Sequence, residues 1–287
     1  MENNDLLQSI NASYKTMSKG QKQIAQYILN NYDKAAFITA SKMGSLVGVS
    51  ESTVVRFAYA LGYDGYPDLQ HSLQELIRNK LTSVQRIQLT GSLQEGDVLK
   101  TVLKADMNNI RSTIESVDEL AFNRVVSGLL AANRVYILGQ RSSTPLAEFF
   151  GYYLNFVLDD VRIITAGTGD IFEQMIRIGS GDVCIGISFP RYSTRTVEGM
   201  KFAKEKGAKV FALSDGMLSP LADCADELLV ARSDMASFAD SLVAPLSLIN
   251  AIIVALSIRN KDEVSQRFNQ LEAIWDKQKV YTGKDEK

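Results

Sequence analysis

The chain has 287 residues, 46% of them hydrophobic, and a formal net charge of −2. That length can bury a substantial core and predicts two moderate domains, while the near-neutral balance excludes a protein that holds nucleic acid by bulk positive charge alone. Two isolated cysteines, Cys184 and Cys224, exclude a disulfide scaffold, and a single histidine, His71, with no Cys/His cluster gives a metal site no support; neither a metal nor a cofactor is expected.

The N-terminus MENNDLLQ is polar and acidic, so no signal peptide is visible and a cytoplasmic location is expected. Leu6, Leu7, Ile10 and Tyr14 predict a short leading helix. Ser18 then opens a second helix, with Gln21 three residues on as in a capping box and Ile24, Ile28 and Leu29 on its buried face. The stretch from Thr39 to Tyr63 reads as two short helices joined by a tight turn. Ala40, Met43, Leu46 and Val47 make the first apolar stripe, Gly48 and Val49 break it, and Ser50 caps a second helix whose buried stripe is Val54, Phe57, Ala58 and Leu61.

This leaves Ser52, Thr53, Val55, Arg56 and Tyr59 facing outward, with Ser50 at the helix start and Lys42 on the preceding helix. Hydroxyls at a helix N-terminus with an arginine one turn later suit duplex DNA: amides and hydroxyls hold phosphates, and Arg, Ser and Thr reach base edges in the major groove. An ordinary helical hairpin whose polar face meets water fits the spacing equally well. Acidic and basic residues nearly balance over residues 1–80, so one copy would bind DNA modestly and a dimer is expected.

The residues are more specific than their spacing. The run VSESTVVRFAYALGYDGYPDL, Val49 to Leu69, resembles the signature of the RpiR-type bacterial transcriptional regulators, V-S-x-x-T-V-x-R-F followed by L-G-[YF]-x-G-[YF]. Val49, Ser50, Thr53, Val54, Arg56, Phe57, Leu61, Gly62, Tyr63, Gly65 and Tyr66 fit. Tyr59 and Ala60 stand where such regulators often carry basic side chains, which removes phosphate contacts from that turn. The resemblance implies a double-stranded operator as partner.

Gly62, Gly65 and Pro67 permit a sharp exit from the second helix, and an all-α head is expected over residues 1–77. Residues 78–96, with Thr82, Ser83, Thr90, Gly91 and Ser92, read as a junction. Helical patterns resume with Val98, Val102, Ala105 and Ile110, then Leu120, Val125, Val126 and Leu129. From Arg134 short apolar runs alternate with helical stretches: Val135–Gly139, Val161–Thr165, Val183–Ser188, Lys209–Ser214 and Glu227–Ala231. That alternation predicts βαβ units and a five-stranded parallel sheet flanked by helices. This α/β body is expected over residues 97–287, with its core at about 124–262. Ser219, Pro220 and Leu221 are expected to start a helix. Ser241 to Ile258 is uncharged and nearly long enough to cross a bilayer, but Pro245, Ser247, Asn250 and Ser257 interrupt it, so a buried or dimer-interface helix is expected and no membrane partner.

In such sheets ligands bind beyond the carboxyl ends of the strands. Gly139, Arg141, Ser142 and Ser143 follow the first strand, and Ser188, Arg191, Ser193, Thr194 and Arg195 follow the third. Two hydroxyl-rich loops with three arginines predict a pocket for phosphate or carboxylate; the plainer alternative is hydroxyls that cap helices beside solvated arginines. Arg124 to Lys261 is similar to the SIS (sugar isomerase) domain, which in these regulators senses phosphosugars. Its first loop usually reads G-x-G-x-S; Gly139 and Ser143 fit and Arg141 replaces the second glycine. Its second loop usually reads S-x-S-G-x-T; Ser188 fits, Ser193 is a conservative match, and Pro190 and Arg191 replace Ser and Gly.

An arginine at each place narrows the pocket and adds charge, so the expected effector is a small anion, a phosphosugar or a carboxylate. The whole reads as an all-α helix-turn-helix head plus an α/β SIS domain: a DNA-binding regulator with no catalytic residue, forming a homodimer or tetramer. The competing reading is an SIS-fold aldose-ketose sugar-phosphate isomerase, which needs a positioned base. His71 falls in the head, and Glu173 and Glu198 fit exposed helix faces. A regulatory subunit that binds protein is a third possibility.

Overall fold

The computed structural model describes residues 6–78, 83–90, 95–167, 169–235 and 238–282, and the chain divides into two compact units between Leu89 and Thr90. That division falls inside the expected junction, where a helix occupies Ser83–Thr90. Met1 to Asp5, Thr82, Gly91 and Ser92, with the side chains of Leu7 and Ile77, lie outside the described residues.

The first unit is helical: α1 (Leu6–Ser13), α2 (Lys19–Asn30), α3 (Tyr32–Ala35), α4 (Ala40–Val47), α5 (Glu51–Ala60), α6 (Tyr66–Arg78) and α7 (Ser83–Thr90). Three of the starts have a local cause in a capping side chain. Ser18 and Gln21 form a reciprocal capping box on α2, Thr39 Oγ1 accepts from the Lys42 N–H, and Ser50 caps α5. Gly48 ends α4 in the left-handed region, φ 75°. Ile10, Ile24, Ile28, Met43, Phe57 and Leu69 are fully buried and form the core of this unit. Leu46, expected on the buried stripe of α4, is half exposed; Gly44 takes the inner position, because only a side chain of that size lets the turn come close.

Helix α6 reaches back to the end of α3. The Tyr66 hydroxyl and Gln70 Nε2 both donate to the Ile38 carbonyl, at 2.8 and 2.9 Å, and Gln74 Nε2 donates to the Ala36 carbonyl at 2.8 Å. Burial, with Tyr27 nearby, pushes the Tyr66 phenol up from 10.0 to about 12. The unfolded phenol ionises first, so this contribution is intact below pH 10 and is lost as pH rises toward 12. In Tyr66→Phe the alkaline decline, followed by helical circular dichroism, should be shallower, at a cost near neutrality of about 1 kcal/mol for the missing hydrogen bond.

The second unit opens with α8 (Val98–Ser116) and α9 (Glu119–Leu130). It continues through β1 (Val135–Gly139), α10 (Thr144–Leu154), β2 (Val161–Ile164), α11 (Ile171–Gln174), β3 (Val183–Ile187), α12 (Thr194–Glu205), β4 (Lys209–Ser214) and β5 (Glu227–Val230), and closes with α13 (Val243–Arg259) and α14 (Lys261–Gln278). All pairings are parallel, in the order β2-β1-β3-β4-β5, with Val135 opposite both Val161 and Val183. Successive side chains serve opposite faces. Val135, Ile137, Ile185, Phe211 and Leu213 pack under α9, α10 and α13, whereas Tyr136, Leu138, Cys184, Val210 and Ala212 pack under α11 and α12. A sheet covered on both faces explains why the strands read as unbroken apolar runs.

Two local expectations change. Ser219–Pro220–Leu221 begins a series of turns, not a helix: the Ala222 N–H bonds the Ser219 carbonyl, and by Asp226 the chain is already donating to Val210 of β4. The uncharged stretch forms α13, which buries Pro245, Leu248, Ile249, Ile252 and Leu256; among the described residues no single helix is long and apolar enough to cross a membrane.

Candidate functional site

In the first unit the turn between α4 and α5 is set by contact. A Cβ on Gly44 would lie 2.7 Å from the Val49 carbonyl oxygen, so the backbone can come this close only beside glycine. Val54, Phe57 and Ala58 anchor α5 from below. Above them Ser52, Arg56 and Tyr59 are exposed, Thr53 and Val55 are half-buried, and Lys42 is exposed on α4. Ser50 Oγ accepts from the Thr53 N–H at 3.3 Å and lies 2.9 Å from both Ser52 Oγ and Thr53 Oγ1. Arg56 Nε donates to the Ser52 carbonyl at 3.3 Å, which draws the guanidinium toward the start of the helix.

A polar hollow lies there, lined by Ser18, Gly20 and Gln21 from α2 and by Ser50, Thr53 and Arg56 from α5. Gly20 lets the two helix starts meet, since a Cβ on it would be 3.3 Å from Thr53 Cγ2. Two helix N-termini and one arginine favour an anion such as a DNA phosphate. Nothing in the spacing links Ser18 to Ser50; only the packing of α2 against α5 does.

In the second unit the loops after β1 and β3 leave neighbouring strands at the point where the strand order reverses, the usual place for a ligand crevice. A Cβ on Gly139 would sit 2.7 Å from Ala147 Cβ and 2.8 Å from the Ser143 carbonyl oxygen, so this glycine allows the turn to fold tightly onto the strand. Gln140 Nε2 donates to the Ile164 carbonyl at 3.1 Å and ties the loop to β2. Arg141 and Arg191 adopt left-handed backbone, φ 59° and 66°. Among the described residues the only other non-glycine with positive φ is Lys279. Such a conformation costs an L-residue about 1–2 kcal/mol, and both arginines stand where the SIS pattern has glycine.

The candidate hydroxyls divide. Ser143, Ser188 and Ser193 are buried. Ser188 Oγ accepts from the Ser193 N–H at 3.0 Å, and Ser193 Oγ accepts from the Thr196 N–H at 3.4 Å, so these two hold the loop and cap α12. Ser142 and Thr194 are exposed, as are Arg141 and Arg191. Arg195 is engaged by Asp170 at 3.4 Å and Glu198 at 3.3 Å, which places it outside the inner group. Two long-range links had no sequence signal. Tyr192 donates to Asp215 Oδ1 at 2.9 Å, and Ser214 Oγ donates to the Ser188 carbonyl at 2.8 Å, joining the β3 loop to the end of β4. Burial pushes the Cys184 thiol up to about 12, which makes it an inert filler.

Comparison with known proteins bears on both units. Residues 4–80 match the helix-turn-helix domain of the rpiR family, and residues 128–255 match the SIS domain. An HTH-type transcriptional regulator of Haemophilus influenzae is 27% identical over 274 residues, covering 93% of this chain and 94% of the relative. The HTH-type transcriptional regulator HexR of Pseudomonas aeruginosa is 24% identical over 270 residues, covering 89% of this chain and 90% of its own. The chain belongs to the RpiR family of helix-turn-helix, SIS-domain transcriptional regulators. The structure of the Vibrio vulnificus NanR protein complexed with ManNAc-6P shares the fold, with a TM-score of 0.58, 20% identity and coverage of 97% of this chain and 100% of that one.

At the ends of β1 and β3, Arg141 and Arg191 each put an arginine on a strand-end turn. Glycine at 141 or 191 would leave the bare backbone open to a phosphate. Here a guanidinium accompanies each left-handed turn, which adds side-chain positive charge beside the backbone amides.

Proposed function

We propose that this RpiR-type regulator reads a double-stranded operator with α5 and senses a small anionic metabolite at the ends of β1 and β3. The head occupies residues 1–77, and the effector and dimerisation body occupies residues 97–287. On this reading Arg56, Ser52, Thr53, Val55 and Tyr59 face the major groove. Ser50 and the start of α2 take a backbone phosphate, and Lys42 approaches the flanking strand. The observation that carries the effector half is the pair of arginines held in left-handed turns at adjacent strand ends. The NanR complex with ManNAc-6P supports a sugar phosphate as one candidate class; a carboxylate fits the added guanidinium groups equally well. Gly139, Ser142, Ser143, Ser188, Ser193 and Thr194 shape the loops, and Arg195 lies at their rim.

The protein acts without catalysis on this reading, in the cytoplasm, as pairs of copies on two half-sites. For the isomerase alternative, the two candidate bases are Glu173 and Glu198. Glu173 accepts from the Asp170 N–H as part of the α11 cap, and Glu198 is bonded to Arg195; both carboxylates already have structural partners. A thermal-shift screen of phosphosugars, phosphate esters and carboxylates tests the effector half: anions should stabilise the protein, and stabilisation by neutral sugars alone would overturn it.

For the DNA half, Arg56→Ala should weaken binding to the selected operator by about 1–3 kcal/mol. A loss confined to the cognate sequence assigns Arg56 to a base edge, whereas an equal loss on random duplex assigns it to phosphate. An unchanged footprint on the operator removes it from the interface.

A further inference from the structure

The turn after β3 is joined to α8 by a continuous run of hydrogen bonds between segments distant in the sequence. Ser188 Oγ accepts from the Ser193 N–H at 3.0 Å, which closes the turn that carries Arg191. Ser214 Oγ, at the end of β4, donates to the Ser188 carbonyl at 2.8 Å, and the Ser214 carbonyl accepts from the Ala231 N–H at 2.9 Å, just beyond β5. The next N–H, that of Arg232, donates to Thr113 Oγ1 of α8 at 2.9 Å. Thr113 gives its own hydrogen to the Asn109 carbonyl at 2.8 Å, which leaves a lone pair for Arg232. Asn109 ends the run: Nδ2 donates to the Asp234 carbonyl and Oδ1 accepts from the Asp234 N–H, both at 3.0 Å. Ser188, Ser214, Thr113 and Asn109 are all buried, so these bonds are shielded from water.

Two features let this run move α8 as well as tether it. The buried residues of α8 are Asn109 and Thr113, both polar, while Val102 and Ile110 are half-buried and Leu99, Leu103, Met107 and Ile114 are exposed. With no buried apolar side chain to lock it, the helix takes its position from directional bonds to residues 232–234. Two buried hydroxyls also have no partner among the described residues: Ser233 Oγ, between the two anchoring residues, and Thr196 Oγ1, in the first turn of α12. An unpaired buried hydroxyl destabilises the arrangement that holds it, which lowers the cost of a shift that pairs it. One such group lies near each end of the run.

We propose that this run is the relay by which an anion at the ends of β1 and β3 acts on the head. The ligand draws in Arg191 and its turn, Ser188 shifts with Ser214, and residues 231–234 carry α8 with them. Helix α8 is the first long helix after the division between the two units, so its displacement passes along the chain that leads to the head. Thr113 and Asn109 are positioning residues in this scheme. The proposal rests on the reading of an anion site at these turns and adds the route its effect takes. Such coupling is reciprocal: a change at α8 must be felt at the β3 turn with no ligand present.

The test uses that reciprocity in the full chain. Thr113→Val keeps the side-chain shape and removes the acceptor of the Arg232 N–H. Amides of residues 189–193 should then exchange hydrogen about three- to tenfold faster, with β1, which the run does not cross, unchanged. Thr113→Ser, which keeps the hydroxyl, should match the parent. The reciprocal variant Ser214→Ala should speed exchange at residues 109–114 of α8. Operator affinity with and without inorganic phosphate reads the output: the change that phosphate causes in the parent should shrink below about twofold in Thr113→Val, while phosphate still raises the melting temperature of both proteins. Faster exchange confined to residues 231–234, or shared equally by β1, makes Thr113 merely structural and overturns the relay. So does a phosphate effect on the operator that survives intact in Thr113→Val. Phosphate that stabilises the parent but leaves its operator affinity unchanged overturns the relay and leaves the anion site standing. If phosphate fails to stabilise the parent, the anion reading loses phosphate as a ligand, and the exchange at the far end of the run alone upholds or overturns the relay.

Discussion

Phe57→Ala should abolish operator binding by unfolding the helical unit. Phe57 is fully buried with Val54 and Ala58 on the inner face of α5, and removing a buried phenyl group costs about 3–5 kcal/mol. A unit of this size has a total stability of roughly 4–12 kcal/mol, so the substitution takes much of it. A calorimetric transition assigned to the head should fall by about 12–40 °C, on the order of 4–8 °C per kcal/mol. The second unit has its own core around the sheet, so an anion that raises its melting temperature in the parent should still do so in the variant. Phe57→Leu, which keeps most of the buried volume, should retain measurable binding. A Phe57→Ala protein that still footprints the operator would show that the helical unit stays folded without this phenyl group and overturn the predicted loss.

How much of this was legible follows the range of the interactions. Caps act over three residues, so Ser18 and Ser50 could be read directly as helix starts, whereas Ser193, expected to contact the effector, caps α12. The five strands were legible because a parallel sheet buried on both faces leaves continuous apolar runs, and Val183–Ile187 falls inside its expected limits. What failed depends on contacts between distant residues. Leu46 has the right period for the inner face of α4, but the close approach of Val49 reserves that side for Gly44. In α8 the apolar period marks a helix but not its inner side: Asn109 and Thr113 face inward because residues more than a hundred positions later offer them backbone partners.

The strand-end loops were half legible. Comparison with the glycine pattern marked Arg141 and Arg191 as unusual, and their left-handed backbone shows what the glycines would have allowed. The division of the serines was not visible. Ser142 and Ser143 are adjacent, yet one is exposed and the other buried, because the turn after β1 is pressed against α10 through Gly139 and Ala147.

The same loop yields two substitutions of opposite sign. Gly139→Ala places a methyl group 2.7 Å from Ala147 Cβ and 2.8 Å from a backbone oxygen. Neither neighbour is the end of a flexible side chain, so the turn must move, at about 1–3 kcal/mol. The variant should melt lower and lose its response to anions, because Arg141 rides on that turn. Arg141→Gly should do the reverse to stability. It relieves about 1–2 kcal/mol of left-handed strain against about 0.5–1 kcal/mol of added chain entropy in the unfolded state, so the melting temperature should hold or rise slightly. Anion binding should weaken by about tenfold, the loss of one charge-assisted contact of about 1.5 kcal/mol. Isothermal titration and thermal melting on the same samples separate the two effects. If Arg141→Gly binds anions as tightly as the parent, the arginine has no part in recognition and the strain it carries is unexplained; if it both binds weakly and melts higher, stability has been given up at this turn in exchange for charge.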